Sequence, residues 1–273
     1  METPNSSERL NMENIHSPLL SVREISKYFG GVCALDKVSL DIEEGEVVAL
    51  LGDNGAGKST LIKIISGASQ ADKGEIQLGG KPMLFRAPRD AMEAGIHTVF
   101  QNLSLCDNLD VAANLFLGKE LHKNVLNFIP CFDHSRMRQQ ATSLLHDLAV
   151  DIPRVDRRVK ELSGGQRQAL AISRAVREKS RLLIMDEPTA ALGVAQTRKV
   201  LDLVQSLKQR KLAILYISHN LHDVLEVSDR CVVMKNGRKV AELVTSECDK
   251  EELTNVILTG EVSRSRNLKR SQT

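Results

Sequence analysis

A glycine-rich segment near the start of the chain carries the residue types that bind phosphate. It reads Gly52-Asp53-Asn54-Gly55-Ala56-Gly57-Lys58-Ser59, followed by Thr60. It fits the pattern G-x-x-x-x-G-K-[ST], in which glycines let successive backbone N–H groups turn towards phosphate oxygens. We expect Lys58 to reach the β- and γ-phosphates of a nucleotide and the Ser59 hydroxyl to bind Mg²⁺.

Two adjacent carboxylates follow an apolar run, Leu182-Leu183-Ile184-Met185-Asp186-Glu187. Asp186 is a candidate for the Mg²⁺ shell, and Glu187 is a candidate for polarising the attacking water. Alone, an apolar run that ends in Asp-Glu is equally typical of a strand that reaches the surface. The phosphate-binding segment upstream favours the catalytic interpretation, because paired carboxylates at a buried strand end are costly without a metal or a reaction.

A second anion-binding segment, Leu162-Ser163-Gly164-Gly165-Gln166, precedes a helix that starts near Arg167. Ser163 is suited to cap that helix, while Gly164 and Gly165 expose backbone N–H donors. A plain helix start with a flexible turn is the alternative. Since a complete phosphate cradle already lies far upstream, the second segment suggests that each chain lends half a site to a second copy of itself.

Elements that position these residues are visible as alternating strands and helices. Val47–Leu51 is a short apolar run that ends at the phosphate-binding segment, and the helix over Thr60–Ser66 follows it, with Gly67 as a stop signal. Further strands are predicted at Leu20–Val22, Val38–Ile42, Leu182–Met185 and Leu212–Ile217, with a helix at Gln196–Arg210 and hairpins at Glu75–Leu84 and Cys231–Leu243. This pattern predicts an α/β fold with a mostly parallel core sheet, helices on both of its faces and an antiparallel β accessory sheet.

Residues from about Asn102 to Lys160 contain few strand-like runs. Met137, Ala141, Leu144, Leu145 and Leu148 fall on one helical face after Asp133, a good N-cap. We therefore expect a helical subdomain, inserted over about 102–180, in one domain at 19–260. Residues 1–18 are expected to be a flexible N-terminus, and 261–273 a flexible basic tail, either a frayed end or a weak contact with anionic headgroups.

Composition limits the function classes. The chain has 273 residues, a net charge of +2 and 3% aromatic residues, which gives no strong case for a nucleic-acid partner. Its five cysteines lack metal-type spacing, which suggests a reducing compartment with each cysteine as a small buried hydrophobe. No apolar run is long enough to span a bilayer, so a cytosolic protein is expected unless a partner holds it at a membrane.

These motifs, in this order, resemble those of ABC-transporter ATPase subunits. The resemblance covers roughly residues 19–260 and rests on the phosphate loop, Gln101 after an apolar strand, LSGGQ at 162–166, LLIMDE at 182–187 and His219 after Tyr216-Ile217-Ser218. It implies a P-loop NTPase fold that binds ATP and Mg²⁺. It also implies a head-to-tail dimer in which each ATP lies between one copy's phosphate loop and the other copy's Ser163, Gly164, Gly165 and Gln166.

The resemblance implies roles for three further residues. Phe29 matches the aromatic residue that stacks on adenine, with Tyr28 as a second candidate and a core position as the alternative for either. Gln101 matches the residue that touches Mg²⁺ and water and senses the permease. His219 matches the γ-phosphate switch. The implied metal ligands are Ser59, Gln101 and Asp186.

One position departs from the family pattern. The usual Ser-Ala-Leu-Asp after Pro188-Thr189 reads Ala190-Ala191-Leu192-Gly193, so the Asp that often communicates between the two sites is replaced by Gly193. This loop, the phosphate loop and Ile217-Ser218-His219-Asn220 resemble simple-sugar importers, most closely the single-unit fructose type. Ribose and xylose relatives commonly fuse two units, so one unit here implies a homodimer.

The resemblance implies an ATPase that energises uptake of a fructose- or ribose-like monosaccharide at the cytoplasmic face of the inner or plasma membrane. Implied partners are integral-membrane permease subunits and, indirectly, a periplasmic or lipid-anchored sugar-binding protein; no nucleic acid is expected. The alternatives are the ATPase of an exporter and a soluble, non-transport ABC ATPase of DNA repair or translation. The sugar itself is not encoded in this chain's motifs.

Overall fold

The computed structural model describes residues 17–125, 129–176 and 180–262. The expectations of a flexible N-terminus and of a flexible basic tail concern residues that lie almost wholly outside these ranges.

The elements alternate between strands and helices for most of the chain. In chain order they are β1 Leu20–Phe29, β2 Val32–Ile42, β3 Val47–Leu51, α1 Lys58–Ile65, β4 Lys73–Leu78, β5 Lys81–Met83, α2 Pro88–Glu93, β6 Ile96–Val99, α3 Val111–Phe116, β7 His122–Val125, β8 Ile129–Phe132, α4 His134–Asp147, α5 Gly164–Ala175, β9 Leu182–Asp186, α6 Val194–Gln209, β10 Ala213–Ile217, α7 Leu221–Val227, β11 Arg230–Lys235, β12 Arg238–Val244 and α8 Lys250–Thr259. Short 3₁₀ turns lie at Val159–Glu161 and Thr245–Glu247.

The core sheet has the order β12-β11-β3-β10-β9-β6. All neighbouring pairs are parallel except the β11–β12 hairpin at one edge. The carboxyl ends of β3, β9 and β10 therefore lie side by side, with Leu50 paired to Ile217 and Ile217 to Asp186. The sheet thus brings the phosphate loop, the paired carboxylates and the segment before His219 to one edge.

Side chains of the core strands alternate between two hydrophobic cores. Leu50, Ile184 and Leu215 pack with α1 and the accessory strands, whereas Ala49, Met185 and Tyr216 pack with α6, α7 and α8. This is the alternation that a strand buried on both faces must show. The prediction of a mostly parallel sheet with helices on both faces is confirmed.

The accessory sheet is antiparallel, with the order β2-β1-β4-β5. It confirms the predicted hairpin around Gly79-Gly80. The early strand is much longer than the three residues predicted, because its outer half pairs with β2 as far as Phe29 and Val32. Those outer residues are polar or exposed, so they lacked the apolar pattern that signals a strand.

Helices α3 and α4 form a third, smaller core. Val111, Leu115, Met137, Ala141 and Leu145 are buried in it together with Val159, Leu162 and Leu170. Asp133 caps α4 as expected, since its side chain accepts a hydrogen bond from the Arg136 N–H. The antiparallel pair β7–β8 between α3 and α4 was not expected, because each strand has four residues and neither alternates polar with apolar side chains. The subdomain limits stay a prediction.

The cysteines are less uniform than composition suggested. Cys231 is buried beside Ser228 and Thr245, but Cys33 is exposed and the other three are half-buried. The expectation of five buried cysteines is therefore wrong for Cys33, which lies near the solvent-facing end of β2. Within the described part of the chain, every helix is too short or too polar to span a bilayer.

Candidate functional site

The phosphate loop links the end of β3 to the start of α1. Gly57 adopts φ of +100° at the N-cap of α1, and a Cβ there would lie 2.8 Å from the Ala34 carbonyl oxygen. A Cβ on Gly52, where φ is +143°, would lie 2.2 Å from the Met234 carbonyl oxygen. Both positions admit only glycine, because the loop is pressed against β2 and the β11–β12 hairpin.

The Lys58 ammonium is folded back over this loop. Its Nζ donates hydrogen bonds to the Gly52 carbonyl at 2.6 Å and the Asp53 carbonyl at 3.0 Å. Burial lowers the pKa of Lys58, and the nearby charges of Glu187, Asp53 and Asp186 oppose that shift. The phosphate-loop lysine and the strand-end carboxylates therefore occupy one electrostatic neighbourhood.

The paired carboxylates end β9 beside this lysine. Burial raises the pKa of Asp186, Glu187 adds to that shift and Lys58 opposes it. Glu187 adopts φ of +53°, a strained conformation for a residue with a side chain, and its N–H donates to the Ile217 carbonyl at 2.9 Å. Ionised Asp186 thus carries an electrostatic cost that a bound cation would offset.

His219 follows β10 and faces the second carboxylate. Its Nδ1 lies 2.7 Å from Glu187 Oε2, an ion-pair distance for a protonated imidazole. The Oε2 atom is fully buried and has no aligned hydrogen-bond donor. His219 itself is mostly exposed, with 74% of its side chain accessible, so its outer face is free to meet a ligand at the edge of the sheet.

Three of the expected site residues, Ser59, Gln101 and Asp186, carry oxygen donors, which Mg²⁺ prefers. The described part of the chain contains no cluster of three or more His, Cys, Asp or Glu side chains that could hold an ion. Phosphate oxygens and water would have to complete the coordination of an ion at Ser59, Gln101 and Asp186. The raised pKa of Asp186 fits such a site, because a cation would offset the cost of ionising this carboxyl.

The second anion-binding segment starts α5 and is built as expected. Ser163 is its N-cap: Ser163 Oγ accepts from the Gln166 N–H at 3.3 Å, and Gln166 Oε1 accepts from the Ser163 N–H at 3.1 Å. This capping box fixes the direction of the first turn. A Cβ on Gly165 would lie 3.0 Å from Gln196 Cβ, so the segment packs against α6.

The two phosphate-reading segments have different surroundings in one chain. The phosphate loop packs against β2 and Met234, whereas the start of α5 contacts α6 and, through Gln166 Nε2, the Asp151 carbonyl. Ser163 and Gly164 are exposed, Gly165 is buried and Gln166 is half-buried. The start of α5 and the phosphate loop are therefore supported by different parts of the chain.

Phe29 and Tyr28 lie at the exposed end of β1. Phe29 is 54% exposed and Tyr28 is 43% exposed, so a core position is wrong for both. Phe29 pairs with Val32 across the β1–β2 turn, two residues before the Ala34 carbonyl that faces Gly57. The Lys27 ammonium lies over one face of the Phe29 ring, 5.5 Å from its centroid.

Gln101 is exposed and lies two residues after the end of β6. The segment that follows it, Leu103 to Cys106, is bonded by Arg174 and Asn114, two residues that the sequence analysis did not single out. Arg174 of α5 donates to the Leu103 and Ser104 carbonyls, each at 2.8 Å. The buried Asn114 amide bonds both the N–H and the carbonyl of Cys106. Asn114 could have been found from the sequence, because it is the polar residue in the otherwise apolar run of α3. The sequence contains no such signal for Arg174, because its hydrogen-bond partners are backbone carbonyls.

Gly193, where the family pattern departs, is the N-cap of α6. Its backbone is extended, with φ of −74° and ψ of 164°, and the space around a Cβ is open to 4 Å. The Gln196 N–H donates to its carbonyl, but the cap has no side-chain acceptor. The structure thus tolerates the missing Asp without strain.

Restoring the side chain at this cap gives a measurable change in stability. We expect Gly193→Asp to unfold with a free energy about 1 kcal/mol higher than Gly193→Ala, because Asp accepts a hydrogen bond from the first turn and Ala cannot. The Ala variant corrects for the loss of glycine flexibility in the unfolded chain. Urea denaturation of both variants measures the difference, and equal midpoints and slopes would contradict it.

Comparisons with known protein families agree with this site. The family model described as ABC transporter matches residues 35–190, which include the phosphate loop, the second segment and the paired carboxylates. A xylose/arabinose import ATP-binding protein from Sulfolobus acidocaldarius is 44% identical over 241 residues, 88% of this chain and 94% of that protein. A fructose import ATP-binding protein from Rhizobium meliloti is 46% identical over 226 residues, 82% and 87% of the two chains.

A solved structure supports the same similarity at the level of the fold. The ADP conformation of an ATP-binding cassette of an ABC transporter superposes with a TM-score of 0.75 at 31% sequence identity. The superposition covers 89% of this chain and 96% of that one. The similarity therefore extends over most of both chains.

Proposed function

Since this chain belongs to the ABC transporter family and is an ATPase, we propose that it is the ATP-hydrolysing subunit of an importer of monosaccharides. The observation that carries the proposal is the grouping of four side chains at one edge of the core sheet. Lys58 shares an electrostatic neighbourhood with Asp186 and Glu187, and Glu187 lies 2.7 Å from His219. Phosphate-binding, metal-binding and water-polarising groups are thus adjacent.

In this proposal each group has a defined task. Lys58 binds the β- and γ-phosphates together with the N–H groups of 52–60, and Phe29 stacks on adenine. Glu187 polarises the attacking water, and His219 orients Glu187 and the γ-phosphate. The contact of 2.7 Å between His219 Nδ1 and Glu187 Oε2 supports the orienting role of His219.

Ser59, Gln101 and Asp186 would hold Mg²⁺. When bound, the ion neutralises charge on the phosphates. The chain's own contribution is these three oxygen donors. One of them is the Asp186 carboxylate, whose ionised form is disfavoured by burial and would be favoured by a cation.

The second half of each ATP site comes from another copy of the chain. Ser163 and Gly164 at the start of α5 are exposed, and the supports of this segment differ from those of the phosphate loop. A helix N-terminus with free N–H groups favours phosphate. In a head-to-tail homodimer, residues 163–166 of one copy cover the ATP held by residues 52–60 of the other.

The cargo and partners follow from what similar proteins do. The relatives compared above are import proteins for xylose/arabinose and for fructose, so a monosaccharide is the favoured cargo class. The ATPase works at the cytoplasmic face of the membrane, bound to permease subunits, with a periplasmic or lipid-anchored sugar-binding protein as an indirect partner. Closure of the dimer on ATP moves the permease, and hydrolysis reopens it.

Uptake by a deletion strain tests the proposal. We expect the strain to lose uptake of one sugar from a panel of radiolabelled fructose, ribose, mannose and a polyol. The parent chain restores uptake, and Lys58→Ala does not, because the variant lacks the phosphate-loop cation. Initial uptake rates and growth on each sugar are the measurements.

Affinity purification from membranes provides the second arm of this test. Recovery of permease subunits supports the importer. Recovery of ribosomes or DNA without a permease would show a non-transport ATPase, and accumulation of a compound inside the deletion strain would indicate an exporter.

A further inference from the structure

A buried carboxylate that the proposed mechanism does not use lies behind His219. Asp223 is 3% exposed, and its Oδ2 accepts a hydrogen bond of 2.7 Å from the hydroxyl of Thr189, which is itself 7% exposed. Burying an ionised carboxylate is costly unless its hydrogen bonds are satisfied. The position must therefore contribute something that an apolar residue of similar size would not.

The other oxygen of the same carboxylate continues the network. Asp223 Oδ1 accepts from Asn220 Nδ2 at 2.9 Å, and Asn220 Oδ1 in turn accepts from the His222 N–H at 3.1 Å. Asn220 directly follows His219, and Thr189 lies two residues after Glu187. One side chain thus bridges the loop that carries Glu187 to the loop that carries His219.

A backbone contact ties the same two loops at a second point. The Glu187 N–H donates to the Ile217 carbonyl at 2.9 Å, and Glu187 is held at φ of +53°. A residue with a side chain keeps this conformation only where its surroundings enforce it. Between the two ties, Glu187 Oε2 and His219 Nδ1 are held 2.7 Å apart.

We propose that Asp223 is a positioning residue for ATP hydrolysis, which locks the Glu187 loop to the His219 loop by bridging Thr189 and Asn220. The inference rests on the proposed function, because it acts through the roles given there to Glu187 and His219. The bridge leaves the phosphate loop untouched, so its loss changes the rate of hydrolysis more than the binding of ATP.

Deleting the Thr189 hydroxyl tests one half of the bridge. Thr189→Val keeps the side-chain shape, and we expect kcat to fall about 10-fold while KM for ATP changes less than about 2-fold. Thr189→Ser keeps the hydroxyl and stays close to the parent rate. Steady-state ATPase kinetics give kcat and KM for ATP separately. Fluorescent-nucleotide binding and thermal melting show whether each variant is folded.

Exchanging the two groups of the Asp223–Asn220 pair tests the other half. Asn220→Asp sets two carboxylates against each other while it keeps the acceptor for the His222 N–H, so we expect a loss in kcat similar to that of Thr189→Val. Adding Asp223→Asn restores a donor and an acceptor: the amide at 223 donates to the carboxylate at 220 and its oxygen still accepts from the Thr189 hydroxyl. We expect the double variant to recover kcat to within about 3-fold of the parent.

Thr245 offers a matched control of the same residue type. It is 4% exposed, and its hydroxyl lies within hydrogen-bond distance of Ser228 and Cys231, neither of which belongs to the bridge. Thr245→Val removes a buried hydroxyl but leaves the bridge intact. We expect its kcat to equal that of the parent.

The outcomes separate this inference from the proposed function. Loss of kcat in Thr189→Val and Asn220→Asp, with ATP binding kept and the double variant rescued, supports the positioning role. Unchanged kcat in both variants alongside an inactive Glu187→Gln overturns the inference and leaves the proposed function standing. Parallel loss of nucleotide binding and melting temperature, without rescue, also overturns it. Hydrolysis by Glu187→Gln at the parent rate overturns both.

Discussion

Replacing Glu187 by Gln lowers the rate of ATP hydrolysis at saturating ATP by at least about 100-fold, the contribution expected of a general base. The amide keeps the size of the side chain but cannot take up a proton from water. Because the variant leaves Lys58 and the phosphate loop unchanged, the groups that bind the phosphates in the proposed function are kept and ATP binding is retained. The variant therefore accumulates in the ATP-bound state, which we expect to be a closed dimer.

The measurement combines steady-state phosphate release, nucleotide binding and size-exclusion chromatography with ATP and Mg²⁺. Glu251→Gln is the matched control, since it neutralises an exposed carboxylate on α8 that is remote in sequence from the site. We expect the control to hydrolyse ATP at the parent rate and to elute as the parent does. Hydrolysis by Glu187→Gln at the rate of the control would show that another group polarises the water.

The edge where Glu187 lies is the part of the fold that the sequence predicts best. Apolar runs that end at Gly52, Asp186 and Ser218 read as buried parallel strands, and such strands end at one edge of a sheet. The helix caps could be predicted equally well. The side chains of Ser163 and Asp133 accept hydrogen bonds from backbone N–H groups in the first turns of α5 and α4. Local chemistry of this kind needs only neighbours in sequence.

Contacts between segments that are distant in sequence could not be predicted, because they depend on the folded sheet and not on neighbouring residues. The close approach of Gly52 to the Met234 carbonyl joins residues 182 positions apart, and only the folded sheet sets β3 beside β11. Arg174 finds backbone carbonyls 70 and 71 residues away. The bridge from Thr189 to Asp223 likewise depends on the parallel pairing of β9 with β10, which no single motif encodes.

The long β1 and the β7–β8 hairpin show a different difficulty. The outer half of β1 alternates weakly and contains register shifts against β2, so hydrophobic period alone underestimates it. β7 and β8 pair with each other in a two-stranded sheet of their own, and each has only four residues to carry a pattern. Strands without a core-facing stripe leave little trace in composition.

Heterodimers of two inactive variants recover ATP hydrolysis if each site is shared between chains. Lys58→Ala disables the phosphate loop. Ser163→Asp keeps a good N-cap on α5, so we expect the fold to be preserved. The new negative charge repels the γ-phosphate and thereby disables the shared ATP site. Each variant alone is expected to hydrolyse ATP at about 1% of the parent rate or less, a range typical for loss of one essential charge contact.

A heterodimer of the two variants contains one site with both defects and one with neither. We therefore expect the purified heterodimer, obtained with two affinity tags, to show about half the parent activity if the two sites act independently. Ser163→Asn is the matched control, because it caps the helix without charge. We expect Ser163→Asn to stay far more active than Ser163→Asp.

The reverse arrangement decides whether the shared site is real. Pairing a parent chain with a chain that carries both Lys58→Ala and Ser163→Asp leaves each shared site with one defect, so we expect this heterodimer to be inactive. If each site were built within one chain, the parent chain would keep its own site, and this heterodimer would be the active one. The two heterodimers contain the same four segments, two intact and two defective, and differ only in which chain carries them. Activity of the second with inactivity of the first would therefore rule out the dimer proposed from Ser163–Gln166.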